Sequence, residues 1–218
     1  MQDVESETLI LYQTDLRGQW PEAAARAFAA HLPYARRLAL SSAGAARRAS
    51  LAGIALALRA LARLLGRRVS AGEIVFAPGQ KPRLATAAFA AAGAPAAEYQ
   101  RARAGGAPDF SISHSGPWVG CVAVASGRVG LDIEMGTEAR SADWVLREAA
   151  LKASGSGLRA LPQLRGLELR GARAYWGGES WHVRRLDSFP GASACVLSSL
   201  TLPVLDAHAV ALEELLTP

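Results

Sequence analysis

Three strand-like runs follow one another with only turns between them: Asp109–Ser113, Trp118–Ala125 and Arg128–Ile133, separated by the turn signals Gly116-Pro117 and Ser126-Gly127. A chain with this segment at its centre folds around sheet, and the flanking segments decide what covers that sheet. Upstream, Ala43–Leu65 sets Leu51, Ile54, Leu58, Leu61 and Leu65 on one helical face and arginines on the other, and Gly66 stops it. Pro21–Leu32 reads as a second helix with proline in its first turn, and Thr8–Tyr12 and Glu73–Ala77 read as strands. The alanine-rich run Ala85–Ala97 is a loop or a poor helix, and Gly105-Gly106-Ala107-Pro108 reads as a junction. Downstream come a helix over Asp143–Ala153, strands near Leu167–Arg170, Trp181–Leu186 and Ala194–Ser199, and a closing helix over Ala209–Leu216. This order predicts an α/β fold of the α+β class in two halves, residues 1–106 and 107–218.

A chain of 218 residues, half of them apolar and a fifth charged, can bury a sizeable core. The net charge of +5 suits an acidic partner. The arginines are dispersed along the chain rather than gathered with aromatics, which argues against a nucleic-acid-binding domain. The N-terminal segment lacks the basic and apolar regions of a secretion signal, and Leu51–Leu65 is too short and too interrupted by Arg59 and Arg63 to span a bilayer. A cytoplasmic protein without membrane association is expected. Cys121 and Cys195 sit inside apolar runs and read as buried free thiols.

Only two of the 24 basic residues are lysines, Lys81 and Lys152. Asp132 and Glu134 lie two apart on a strand-like run, so period two puts both acids on one face. Like charges side by side repel unless a cation sits between them, and magnesium takes such carboxylates together with substrate phosphates. Glu148 and Lys152 are spaced i, i+4 on a helical run, with Ser141 or Asp143 as its N-cap and Trp144 packing inward. Ser113, His114 and Ser115 close one strand and offer small hydroxyls beside an imidazole, while Lys81 sits in a Gly-x-Lys-Pro turn. No Walker loop, GxGxxG, HExxH or GxSxG is present.

FSISHS, GLDIE and W-x-x-R-E-A-x-x-K, in this order with GxKPxL upstream, resemble the 4′-phosphopantetheinyl transferases of the surfactin type. The likeness covers roughly residues 47–158. It implies a pseudo-dimer of two similar α/β halves with the site between them, working as a monomer. It implies transfer of phosphopantetheine from coenzyme A to a serine of an acyl or peptidyl carrier protein, with magnesium. By position, Asp132, Glu134 and Glu148 would hold the metal, and Lys152 would meet the diphosphate. Ser113, His114, Lys81 and an arginine of the Arg47/Arg48 pair, taken as Arg48, would hold the 3′-phosphate and adenosine end. Glu148 or a water on the metal would take the serine proton. The chain departs from the family pattern in carrying Arg147 where lysine is usual, and in having only nine residues between Glu134 and Trp144. That shortened spacer leaves a second reading open, a non-catalytic coenzyme A- or carrier-binding protein of the same fold.

Overall fold

The computed structural model describes residues 8–33, 36–37, 40, 44–77, 80–85, 107–157, 162, 164–201 and 204–216. The alanine-rich run after Ala85 and the glycine pair Gly105-Gly106 lie outside them. The described residues form a mixed α/β fold. In chain order its elements are β1 (Leu9–Asp15), α1 (Glu22–Ala30), α2 (Ala45–Leu65), β2 (Ile74–Val75), β3 (Arg83–Leu84), β4 (Asp109–Ser115), β5 (Trp118–Val124) and β6 (Val129–Met135). Then come α3 (Ala139–Ser154), β7 (Glu168–Arg170), β8 (Arg173–Trp176), β9 (Glu179–Arg185), β10 (Ala192–Ser198), β11 (Leu205–Ala209) and α4 (Leu212–Leu215).

Two sheets carry the architecture. One runs β11-β1-β5-β4 and the other β6-β10-β9-β8-β7. α2 covers the outer face of the first, burying Leu51, Ile54 and Leu61 against Phe110, Val119 and Cys121. Its C-terminus turns at Gly66, whose φ of 62° is left-handed and therefore favours a residue without Cβ. The facing sides of the two sheets share Leu9, Leu11, Val122, Leu131, Ile133 and Val196. α3 seals the far face of the second sheet, where Val145, Leu146 and Ala149 meet Trp181, Cys195 and Leu197. The result is helix, sheet, sheet, helix. Both cysteines are buried free thiols, and burial pushes Cys195 up to about 12. No helix among the described residues is long and apolar enough to cross a membrane.

Strand pairing crosses the boundary drawn at residue 106. β1 pairs antiparallel with β5 and parallel with β11, so one sheet draws strands from both ends of the chain. That parallel pairing corrects the expected C-terminal helix. Ala209, placed at a helix start by sequence, is the last residue of β11 opposite Gln13, and the helix shrinks to a single turn. Glu73–Ala77 likewise contributes only two strand residues, because a 3₁₀ turn capped by Ser70 and Glu73 takes up its start. β3, β8 and β11 are strands that the sequence reading omits.

β4 and β6 lie side by side without a backbone ladder. Alternate side chains of β4 accept the N–H groups of alternate β6 residues instead: Asp109 from Val129 at 2.8 Å, Ser111 from Leu131 at 3.0 Å, Ser113 from Ile133 at 3.2 Å and Ser115 from Met135 at 3.1 Å. β6 pairs with β10 on its other edge, so these outward N–H groups need acceptors once buried. The polar face of β4 supplies them. This zipper joins the sheets and sets the register that brings Ser113 beside Asp132.

Gly130 sets the approach of α3 to β6. A Cβ there would lie 2.1 Å from the Ala149 carbonyl oxygen and 2.5 Å from the Ala153 nitrogen, both backbone atoms of α3. Gly130→Ala is expected to push the helix off the strand and cost about 2–3 kcal/mol, the usual scale for overpacking. Urea denaturation measures it, and an unchanged midpoint would mean that α3 yields freely.

Candidate active site

The pairing that gathers the site follows from period two on β6. Gly130, Asp132 and Glu134 face α3, while Leu131 and Ile133 face the other sheet. From α3, the i, i+4 pair Glu148 and Lys152 turns toward the same face. Lys152 Nζ lies 2.7 Å from Asp132 Oδ1 and 2.9 Å from Ser113 Oγ. Ser113 Oγ donates to the same Asp132 oxygen at 2.9 Å. Asp132 is buried, with its side chain 6% exposed, and Lys152 is 27% exposed. Asp132 Oδ2 takes no protein partner among the described residues.

Glu134 and Glu148 also make no hydrogen bond or ion pair with described residues. Burial raises the Glu148 carboxyl above the usual carboxylate range. Repulsion from Asp132 and, more weakly, from Glu134 adds to the rise, with Lys152 opposing. Like charges are therefore crowded here with one lysine among them. Among the described residues no set of three Asp, Glu, His or Cys groups is drawn close enough to hold a metal as it stands. The donor chemistry nevertheless fits a hard cation: two unpartnered carboxylates and a third with an open oxygen, in mutual repulsion that a divalent ion would relieve.

The remaining expected residues divide into two groups. Lys81 lines one cleft of about 300 Å³ with Gln80, Ser111, Glu148, Leu151 and Lys152. Its ammonium is buried, 2.6 Å from Asp109 Oδ2 and 2.6 Å from the Val129 carbonyl oxygen. His114 is exposed by area at the end of β4, yet protein around its ring holds the imidazole below the usual histidine range. The nearby Lys152 charge adds to this and Asp132 opposes it. Arg48 lines a different cleft, of about 330 Å³, with Arg17, Gly116 and Pro117, its guanidinium 5.6 Å from the Trp20 ring centre. Its neighbour Arg47 turns away to Glu22 at 3.5 Å. Lys81, Glu148 and Lys152 thus share one cleft, Ser113 and Asp132 are bonded to Lys152, and Arg48 stands apart.

Compared with the models of known protein families the chain matches none, and no curated protein sequence matches it. The functional reading therefore rests on the residues themselves.

Two local expectations are overturned. The helix bearing Glu148 begins at Ala139 with Glu138 as its cap, so neither Ser141 nor Asp143 is the N-cap. Asp143 instead holds Arg147 at 2.7 Å, and Arg147 also donates to the Leu164 carbonyl oxygen at 2.6 Å. Trp144 does not pack inward: it is 41% exposed, because the buried helix positions are Val145, Leu146 and Ala149. It lines a cleft beside Glu134, Arg140 and Arg147. The nine residues between Glu134 and Trp144 hold the end of β6, a three-residue connection over 136–138 and the first turn of α3, with the Gly136 N–H on the Gly191 carbonyl oxygen at 3.0 Å and the Gly136 carbonyl accepting from Ser193 at 2.8 Å. Asp109, read from sequence only as the start of a strand, gave no signal of its contacts to Lys81 and Val129 beyond preceding Ser111 in an alternating polar series.

Glu148 yields a pH-dependent expectation. Its carboxyl holds a proton more tightly folded than unfolded, so its ionisation works against folding. That cost is absent below its unfolded range of about pH 4 and complete once pH has risen through the folded value. Glu148→Gln is expected to stabilise the protein near neutral pH by on the order of 0.5 kcal/mol, the scale for partly exposed charges. The gain should fade on acidification. Thermal melts across pH measure it, and a stability loss at neutral pH would refute the crowding.

Proposed function

We propose that this protein is a magnesium-dependent 4′-phosphopantetheinyl transferase acting on coenzyme A and a serine of an acyl or peptidyl carrier protein. The observation that supports this most directly is the Lys152–Asp132 pair with the Glu148 carboxylate repelled by Asp132 and, more weakly, by Glu134, beside the cleft that Lys81, Glu148 and Lys152 line. Asp132, Glu134 and Glu148 would hold the magnesium ion, which supplies charge neutralisation to the coenzyme A diphosphate.

The chain's own groups divide the remaining work. Lys152, already seated on Asp132, has an ammonium to offer the diphosphate as negative charge develops on the leaving group. Glu148, its proton affinity raised by burial and like charge, is suited to accept the carrier serine proton. The serine oxygen then bonds to the β-phosphorus, the bond from that phosphorus to the bridging oxygen breaks, and 3′,5′-ADP departs. The net charge of +5 favours encounter with an acidic carrier surface.

A second reading has two observations in its favour. Asp132 is held by Lys152, and the connection from β6 to α3 is only three residues, which leaves little structure beside the site. On that reading the protein binds coenzyme A or a carrier without transfer. Intact-protein mass spectrometry of apo carrier proteins, incubated with this protein, coenzyme A and magnesium with and without EDTA, separates the two. A magnesium-dependent phosphopantetheine increment supports the transferase. Coenzyme A binding by calorimetry with no increment on any carrier supports the second reading.

A further inference from the structure

A serine hydroxyl has one proton to donate and two lone pairs to accept with. Ser113 spends all three within the protein: it donates to Asp132 Oδ1 at 2.9 Å and accepts from the Ile133 N–H at 3.2 Å and from Lys152 Nζ at 2.9 Å. The residue is only 4% exposed. Ser111 and Ser115 accept the corresponding N–H groups of β6, but only Ser113 also reaches a carboxylate. It is where the zipper between the sheets meets the acidic cluster.

We propose that Ser113 is a positioning residue, holding the Asp132 carboxylate and the Lys152 ammonium in place, rather than a contact of the coenzyme A phosphates. Lys152 alone is a poor anchor for Asp132, because a lysine is a mobile point charge and this one would shift toward a bound diphosphate. The Ser113 hydroxyl is fixed to the β6 backbone through Ile133 and does not shift with it. It keeps Oδ1 oriented and leaves Oδ2 directed away from its partners. The proposal takes from the transferase reading what Asp132 is held ready to bind, and its test separates the two.

The chain has only two lysines, so amine acetylation followed by peptide mass spectrometry reads Lys152 with the buried Lys81 as internal reference. Ser113→Ala is expected to raise the Lys152 rate relative to Lys81 about three-fold or more, the equivalent of one hydrogen bond. Ser113→Thr, which keeps the hydroxyl, is expected to restore it. Manganese binding followed by electron paramagnetic resonance should weaken about ten-fold in the alanine variant, as when a ligand's supporting hydrogen bond is lost. Affinity for 3′,5′-ADP without metal should stay within about two-fold, because no hydrogen bond to Ser113 is lost. An unchanged Lys152 rate overturns the proposal, as does a fall in 3′,5′-ADP affinity of about ten-fold or more, the loss of one or two ligand contacts. If the alanine variant does not fold, Ser113→Cys is read in its place. Failure of wild-type protein to bind 3′,5′-ADP overturns the transferase reading, while the acetylation ratio still decides the role of Ser113.

Discussion

Asp132→Asn is expected to abolish magnesium-dependent carrier modification, by about 10³-fold or more, the scale of losing a group that stabilises transition-state charge. The amide keeps the shape of the carboxylate and removes its charge. The open Oδ2 side becomes neutral, and Lys152 loses its ion-pair partner 2.7 Å away. Initial rates of the mass increment, measured across a magnesium titration, read the effect. A thermal melt run alongside separates it from unfolding, because Lys152 is partly exposed and water can take over its solvation. Full activity with unchanged magnesium dependence would sink the metal assignment for Asp132.

Lys81→Ala is expected to act first on stability. The Lys81–Asp109 pair is almost completely buried, with side chains 6% and 5% exposed. Removing one partner of a buried ion pair is strongly destabilising, on the scale of about 3–5 kcal/mol. Asp109 would still accept from the Val129 N–H, while the Val129 carbonyl oxygen would lose its 2.6 Å donor. In a chain of this size the melting temperature should fall by roughly 10 °C. Replacing both partners, Lys81→Met with Asp109→Leu, should recover little of that loss, because the buried Val129 N–H and carbonyl oxygen would then both lose their side-chain partners. If Lys81→Ala melts like wild type but binds coenzyme A weakly, the lysine is a ligand contact and its buried pairing is incidental.

The contrast between the two lysines sets the limit of what local pattern can tell. Both stand out in an arginine-rich chain, and both come with motif neighbours that suggest phosphate binding. Spacing sets Lys152 one turn from Glu148 and Asp132 on one face with Glu134, because i, i+4 on a helix and period two on a strand are local geometry; the meeting of Lys152 with Asp132 across 20 residues is not. Nothing local links Lys81 to Asp109, which lies 28 residues away across a segment outside the described residues.

The sequence by itself determined the central three-strand segment, the two longer helices α2 and α3, the buried thiols and the shared face of Asp132 and Glu134. Each of these follows from a hydrophobic period or a turn signal within a few residues. Only the tertiary structure decided that Leu205–Ala209 is a strand, since its backbone is satisfied by β1 from the opposite end of the chain. It alone decided, too, the fate of the alternating polar face Asp109, Ser111, Ser113 and Ser115. Alternation on its own predicts a face turned to water. From Asp109 to Ser113 that face is buried here because the free edge of β6 needs acceptors, and an unpaired buried N–H costs more than burying a hydroxyl that accepts it. The same requirement fixes Ser113 against Asp132, so the shape of the candidate site follows from a long-range demand for hydrogen bonds that no short window of residues contains.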